Sequence, residues 1–159
     1  MKSGENYNTG KQAEQDSWGI MADYGYIRPN PFQRKNIIRA FHALGKAVSK
    51  TGFDLIERKY GEHVNDPERL KVIIHELVLY ELKTAGAKRK SVVAENWKGL
   101  GFTLTSAEKN NATLLGENYK FIFLNLKTKN MNVYAMEDFF DDERANIYPT
   151  YSIFIKGLE

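Results

Sequence analysis

Glu81 and Lys83 in Tyr80-Glu81-Leu82-Lys83-Thr84, with Asp54 upstream in Gly52-Phe53-Asp54-Leu55, are residue types that can together hydrolyse a phosphodiester. On an extended strand residues 81 and 83 share a face, so a carboxylate and an ammonium stand side by side. If Phe53 to Tyr60 and Val72 to Lys83 form an antiparallel hairpin turning near Pro67 and Glu68, residue 54 falls opposite residue 81. Two carboxylates that close repel unless a cation joins them, and a hard divalent cation with oxygen ligands is the usual one. Mg2+ (or Mn2+) on Asp54 and Glu81 would keep several waters, accept phosphate oxygens and acidify a bound water. Lys83 beside it would orient or deprotonate that water and stabilise charge developing on phosphorus.

Elements of both kinds must position these groups. Asn30 followed by Pro31 starts a helix, and Ile37, Ile38, Phe41, Leu44, Ala47 and Val48 give it one apolar stripe that should run to about Gly52. Residues 66–86 read two ways. As one helix, Asp66 caps, Pro67 takes the first turn, and the stripe from Leu70 to Ala85 ends at Gly86. As the return arm of the hairpin, Val72-Ile73-Ile74 and Val78-Leu79-Tyr80 supply the β-forming residues. Downstream, Thr105 with Glu108 has capping-box spacing for a helix ending at Gly116. Tyr119 to Leu126 is a buried strand, Lys129-Asn130 a turn, Met131 to Met136 its partner, and Tyr151 to Ile155 a last edge strand.

The first acidic ligand has a rival in Asp66, fifteen residues before Glu81, although a residue before Pro67 also reads as a turn or helix cap. Glu76 falls on the opposite face of a regular strand from Glu81, and His75 on the same face as Glu81. Lys88, Arg89, Lys90 and Lys98 follow the triplet closely and could grip a DNA backbone, with Trp97 among them. Glu137, Asp138, Asp141, Asp142 and Glu143 form an acidic cluster that would repel phosphates.

With 159 residues, 42% hydrophobic and 27% charged, the chain has the make-up of one soluble globular domain, residues 17–159, behind a polar and flexible leader, residues 1–16. No apolar run is long enough for a membrane span, and the N-terminus lacks a signal-peptide core, so a cytoplasmic protein is expected. Without cysteine there is no disulfide, thiolate nucleophile or sulfur-ligated zinc. A net charge of +3 permits a nucleic-acid partner without requiring one.

The order helix, acidic residue, then apolar-apolar-Tyr80-Glu81-x-Lys83 resembles the PD-(D/E)xK nuclease superfamily, whose fold is that of type II restriction endonucleases. Glu81-Leu82-Lys83-Thr84, Phe102-Thr103-Leu104-Thr105, Glu108, Ala112, Gly116 and Asn118-Tyr119 ahead of a hydrophobic strand are similar to its Mrr-like and DUF3883-like branch, over roughly residues 32–137. The resemblance implies an α/β fold with a restriction-endonuclease-like core, a central mixed β-sheet flanked by helices. It further implies a metal-dependent DNA endonuclease of restriction or phage and mobile-element type, with Asp54 and Glu81 as metal ligands, Lys83 catalytic and a 5′-phosphate product. A homodimer would suit cleavage of both strands. The sequence departs from the pattern in that Asp66 precedes its proline instead of following it. The competing reading is a non-enzymatic nucleic-acid-binding or protein-interaction module with a helical N-terminal half.

Overall fold

A computed structural model describes residues 2–86 and 93–158, residues 2–9 by their backbone alone. Along the chain come α1 (Lys2–Asp23), β1 (Tyr26–Ile27), α2 (Pro31–Ala43), β2 (Ile56–Glu57), α3 (Pro67–Ile73), β3 (Leu79–Ala85), α4 (Ser106–Leu115), β4 (Tyr119–Asn125) and β5 (Met131–Tyr134). β3 and β4 run parallel, with α4 in the connection between them, and β5 returns antiparallel to β4. The architecture is therefore mixed α/β, a three-stranded mixed sheet with a separate β1–β2 pair. None of the described helices is long and apolar enough to cross a membrane.

Strand periodicity divides the core into two. Leu79 of β3 and Tyr119, Phe121 and Phe123 of β4 pack with Phe41 of α2, Leu70 of α3 and Leu115 of α4. The alternate residues Tyr80, Ile122 and Leu124 pack with Met21 of α1. The sheet is thus covered by helices on both faces, and Glu81 and Lys83 share the face of α4 with Leu79.

The polar residues that open the chain belong to α1 at the level of the backbone. Local signals set α2 as the sequence suggests: Asn30 accepts from Gln33 N–H, and Gln33 reciprocates on Asn30 N–H. The helix stops nine residues before Gly52, however. Gly45 takes φ +78°, and Gly45 and Lys46 donate to the carbonyls of His42 and Phe41, a Schellman closure. Val48 is buried all the same, from the loop beyond, which is why the apolar stripe runs past the helix end.

Residues 66–86 are neither one helix nor one strand. Asp66 caps α3, accepting from Glu68 N–H at 3.0 Å, and the helix lasts only to Ile73. The chain then turns into β3, held there by Asn118, whose amide donates to the carbonyls of His75 and Leu77. The expected long hairpin contracts to a single antiparallel bridge, Leu55 opposite Tyr80, beyond which β2 pairs with β1 instead. The register is nevertheless the expected one. At the C-terminus, Tyr151 to Ile155 form no strand; Tyr151 and Phe154 are 85% and 89% exposed, with no neighbouring strand to pair with.

Candidate active site

The bridge at Leu55 is what carries Asp54 to the edge of β3. Asp54 N–H and Leu55 N–H both donate to the Tyr80 carbonyl, at 2.7 and 3.0 Å, and Tyr80 N–H returns to the Leu55 carbonyl. The Asp54 carboxylate then continues the ladder as a side chain, its Oδ2 accepting from Leu82 N–H at 2.9 Å. It is thereby fixed beside the two residues that flank Leu82, Glu81 and Lys83.

The turn that precedes Asp54 is fastened to α4 and β4. Asn111, buried on α4, accepts from Ser49 N–H and donates to the carbonyls of Ser49 and Gly52. The Tyr119 hydroxyl donates to the same Gly52 carbonyl at 2.5 Å. Gly52 is required by contact: a Cβ there would lie 2.5 Å from Asn111 Nδ2 and 2.8 Å from the Ala107 carbonyl. Arg34 of α2 closes the other side, donating to the carbonyls of Lys50 and Phe53, with its guanidinium over the Phe53 ring.

Lys83 is buried and fully engaged. Its Nζ donates to Glu108 Oε2 at 2.9 Å, to the Thr103 carbonyl at 2.9 Å and to Glu81 Oε1 at 3.3 Å, the three donors an ammonium possesses. Glu108 serves two purposes with one oxygen. Its Oε2 accepts from Thr105 N–H at 3.1 Å, completing the capping box of α4, and meets Lys83 as well. The side chains of this cluster are at most a tenth exposed.

Asp54, Glu81 and Glu108 have the Lys83 ammonium among them and the Arg34 guanidinium within electrostatic reach, three carboxylates to two cations. The Glu81 carboxyl is pushed up to about 9, chiefly by burial and next by Asp54; Lys83 opposes the rise and Glu108 adds to it. The Tyr119 hydroxyl is raised in turn, first by burial and then by Glu81, Glu108 and Asp54. Arg34 is lowered by burial, against the pull of Asp54 and Glu81. A further cation at Asp54 and Glu81 would relieve this imbalance. Among the described residues no three His, Cys, Asp or Glu side chains converge on one point. A cation held by Asp54 and Glu81 would therefore have to keep most of its waters.

Of the residues singled out by sequence, Asp54, Glu81 and Lys83 come together. Asp66 does not join them: its carboxylate is spent on the cap of α3. His75 and Glu76 lie exposed in the turn before β3, outside the strand that would have set His75 on the Glu81 face and Glu76 on the opposite one. Lys98 is exposed on the loop ahead of α4, while Lys88, Arg89 and Lys90 lie outside the described residues. Glu108 was visible in the sequence as a capping residue but not as a partner of Lys83. Gly52, Asn111, Tyr119 and Arg34 carried no signal, since each acts through a backbone group remote in sequence. The chain matches no protein-family model, no curated protein and no solved structure.

Proposed function

We propose that the chain is a metal-dependent nuclease that hydrolyses phosphodiester bonds in DNA, with a restriction-endonuclease-like core formed by the β3–β4–β5 sheet and the helices on its two faces. The observation that carries this reading is the meeting of Asp54 with Glu81 and Lys83. Asp54 lies far from the other two in sequence, yet one hydrogen bond from Leu82 N–H locks the aspartate beside the pair. A merely solvated aspartate has no need of that anchorage.

Asp54 and Glu81 would hold the cation, which when bound supplies Lewis-acid polarisation of the phosphate and a more acidic water. Once the Glu81 carboxylate is committed there, Lys83 loses one of its three acceptors and keeps Glu108 and the Thr103 carbonyl. The Lys83 ammonium would supply an N–H and a positive charge to the reacting phosphate, orienting the attacking water and stabilising the extra negative charge. Water oxygen would bond to phosphorus as the bond to the 3′ oxygen breaks, the water's proton passing to solvent and the leaving 3′ oxygen taking one from solvent, which gives a 5′-phosphate and a 3′-hydroxyl. Glu108 and the α4 cap keep the ammonium from swinging away.

A second reading has a specific observation in its favour. The saturated Lys83 cluster is also what a purely structural buried ion pair looks like, in a module that binds without cutting. Plasmid and single-stranded circular DNA incubated with Mg2+ or Mn2+, with EDTA, and with Lys83→Ala or Asp54→Asn protein separate the two. Metal-dependent cleavage lost by at least a hundredfold in both variants is the expected result. Intact DNA in every arm, from folded protein, overturns the nuclease reading in favour of the binding module.

A further inference from the structure

Beside Lys83 the molecule opens into a groove of about 1090 Å³, walled on one side by the loop before α4 and on the other by residues 138–150. The groove begins at the candidate site, because Phe102 and Thr103 belong to both: Lys83 Nζ lies 5.4 Å from the Phe102 ring centre and bonds the Thr103 carbonyl. Its lining is rich in aromatic rings. Tyr148 is 79% exposed, so its ring can take a base, whereas Phe102, 36% exposed, has Lys83 over it and Phe123 and Phe139 beside it. Trp97 holds a left-handed backbone, φ +69°, unusual for so bulky a residue, and its indole N–H is fixed by Asn132.

The charges on the walls are mostly positive. Lys98 is exposed, Lys109 stands over the Phe140 ring at 5.0 Å, and Arg144 also faces the groove, although Asp141 shares its charge. Against them the lining has one carboxylate, Asp138, which accepts from Ala135 N–H. The acidic residues Glu137, Asp142 and Glu143 lie off the lining. Aromatic faces with scattered cations suit bases that are not stacked on one another, since a duplex hides its π-faces and presents phosphates and base edges instead.

We propose that this groove binds single-stranded nucleic acid, stacking unpaired bases on Tyr148 and holding phosphates on Lys98 and Lys109, so that the strand is fed toward Phe102 and Lys83. This names the substrate class of the site described above and rests on that reading for cleavage, though not for binding.

The test is fluorescence anisotropy of the full chain, in EDTA, with labelled dT20, rU20 and a mixed-sequence 20-base-pair duplex across a range of salt. Single strands should bind at least tenfold more tightly than the duplex, and dT20 against rU20 tells which sugar is preferred. Tyr148→Ala should weaken dT20 by about tenfold, the worth of one stacked base. The Lys98→Ala/Lys109→Ala double variant should reduce the slope of log K against log salt by about 1.4, two phosphates' worth for a single strand. All three positions are exposed, so the variants should keep the parent's circular dichroism. A duplex bound as tightly as dT20, or variants that bind dT20 unchanged, overturns the proposal. Preferred and mutation-sensitive single-strand binding without cleavage under Mg2+ leaves the groove standing and removes the nuclease.

Discussion

Glu81 is held in a state that costs the fold stability, and Glu81→Gln should show by how much. The folded carboxyl sits near 9 against an ordinary 4.5. A group raised in the folded state contributes stability fully below its unfolded value and loses it as pH climbs toward the folded one. Between pH 4.5 and pH 7 that loss accrues at about 1.4 kcal/mol per pH unit, about 3 kcal/mol in all. Because Glu81 is 7% exposed, solvent screening removes little of it. Glutamine is neutral at every pH and can donate to Glu108 as the protonated acid does. The variant should therefore match the parent near pH 4.5 and exceed it by about 3 kcal/mol at pH 7, or roughly 9 °C in Tm for a chain of this size. Urea unfolding of both proteins in EDTA, at pH 5, 6, 7 and 8, gives the difference as a function of pH, and other titrating groups largely cancel. A difference independent of pH, or a parent that is the more stable at pH 8, would mean that Glu81 is ionised in the fold and that its pairing with Lys83 stabilises outright. The charge-deficit argument for a cation would then fail.

Metal binding should share this pH dependence with the opposite sense. Mg2+ must displace the Glu81 proton, so its apparent affinity, read from the rise in Tm with added Mg2+, should increase about tenfold per pH unit between 6 and 8; a flat profile contradicts Glu81 as ligand. Glu108→Ala should cost about 1 kcal/mol through the lost cap of α4 and lower the pH at which Glu81 ionises, whereas Glu108→Gln keeps the cap and shows only the second effect; equal thermal loss in both would refute the dual role. Gly52→Ala should destabilise by about 3 kcal/mol in chemical denaturation, since its methyl group would intrude on Asn111 and the Ala107 carbonyl, and a change under 1 kcal/mol would show that the turn before Asp54 yields freely.

What could be read in the sequence was whatever short-range chemistry decides. Asn30, Pro31 and Gln33 start α2, and Thr105 and Glu108 start α4, because a cap is satisfied within four residues. The register placing Asp54 by Glu81 follows from a turn near Pro67 and Glu68, and it survives although the hairpin around it does not. What could not be read depends on distant partners. The change from α3 to β3 is enforced by an amide on Asn118, more than forty residues away, and a continuously apolar run carries no mark of where that amide will bond. Tyr151 to Ile155 shows the converse. Its residues favour a strand, but a strand exists only where another offers its N–H and C=O groups, and none of the described strands reaches it.

The Lys83 cluster gathers residues whose local duties are already complete. Thr105 and Glu108 would cap α4 without a lysine nearby, and Leu55 would bridge Tyr80 whatever residue stood at 54. Stability alone would favour apolar side chains at 81 and 83, on a face that otherwise packs Leu79 and Phe121, because a buried ion pair seldom repays its desolvation against well-packed hydrocarbon. Here the imbalance is worse than in a simple pair, with Asp54 and Glu108 both driving Glu81 toward protonation against Lys83. On the function proposed above, such an arrangement beside an aromatic groove would have its explanation in a ligand that enters the groove. A phosphodiester delivered with a hydrated divalent cation, as proposed, would supply the missing positive charge to Asp54 and Glu81 and give Lys83 an anion to meet. The cost carried by the free protein is then the differential interaction that the bound state recovers.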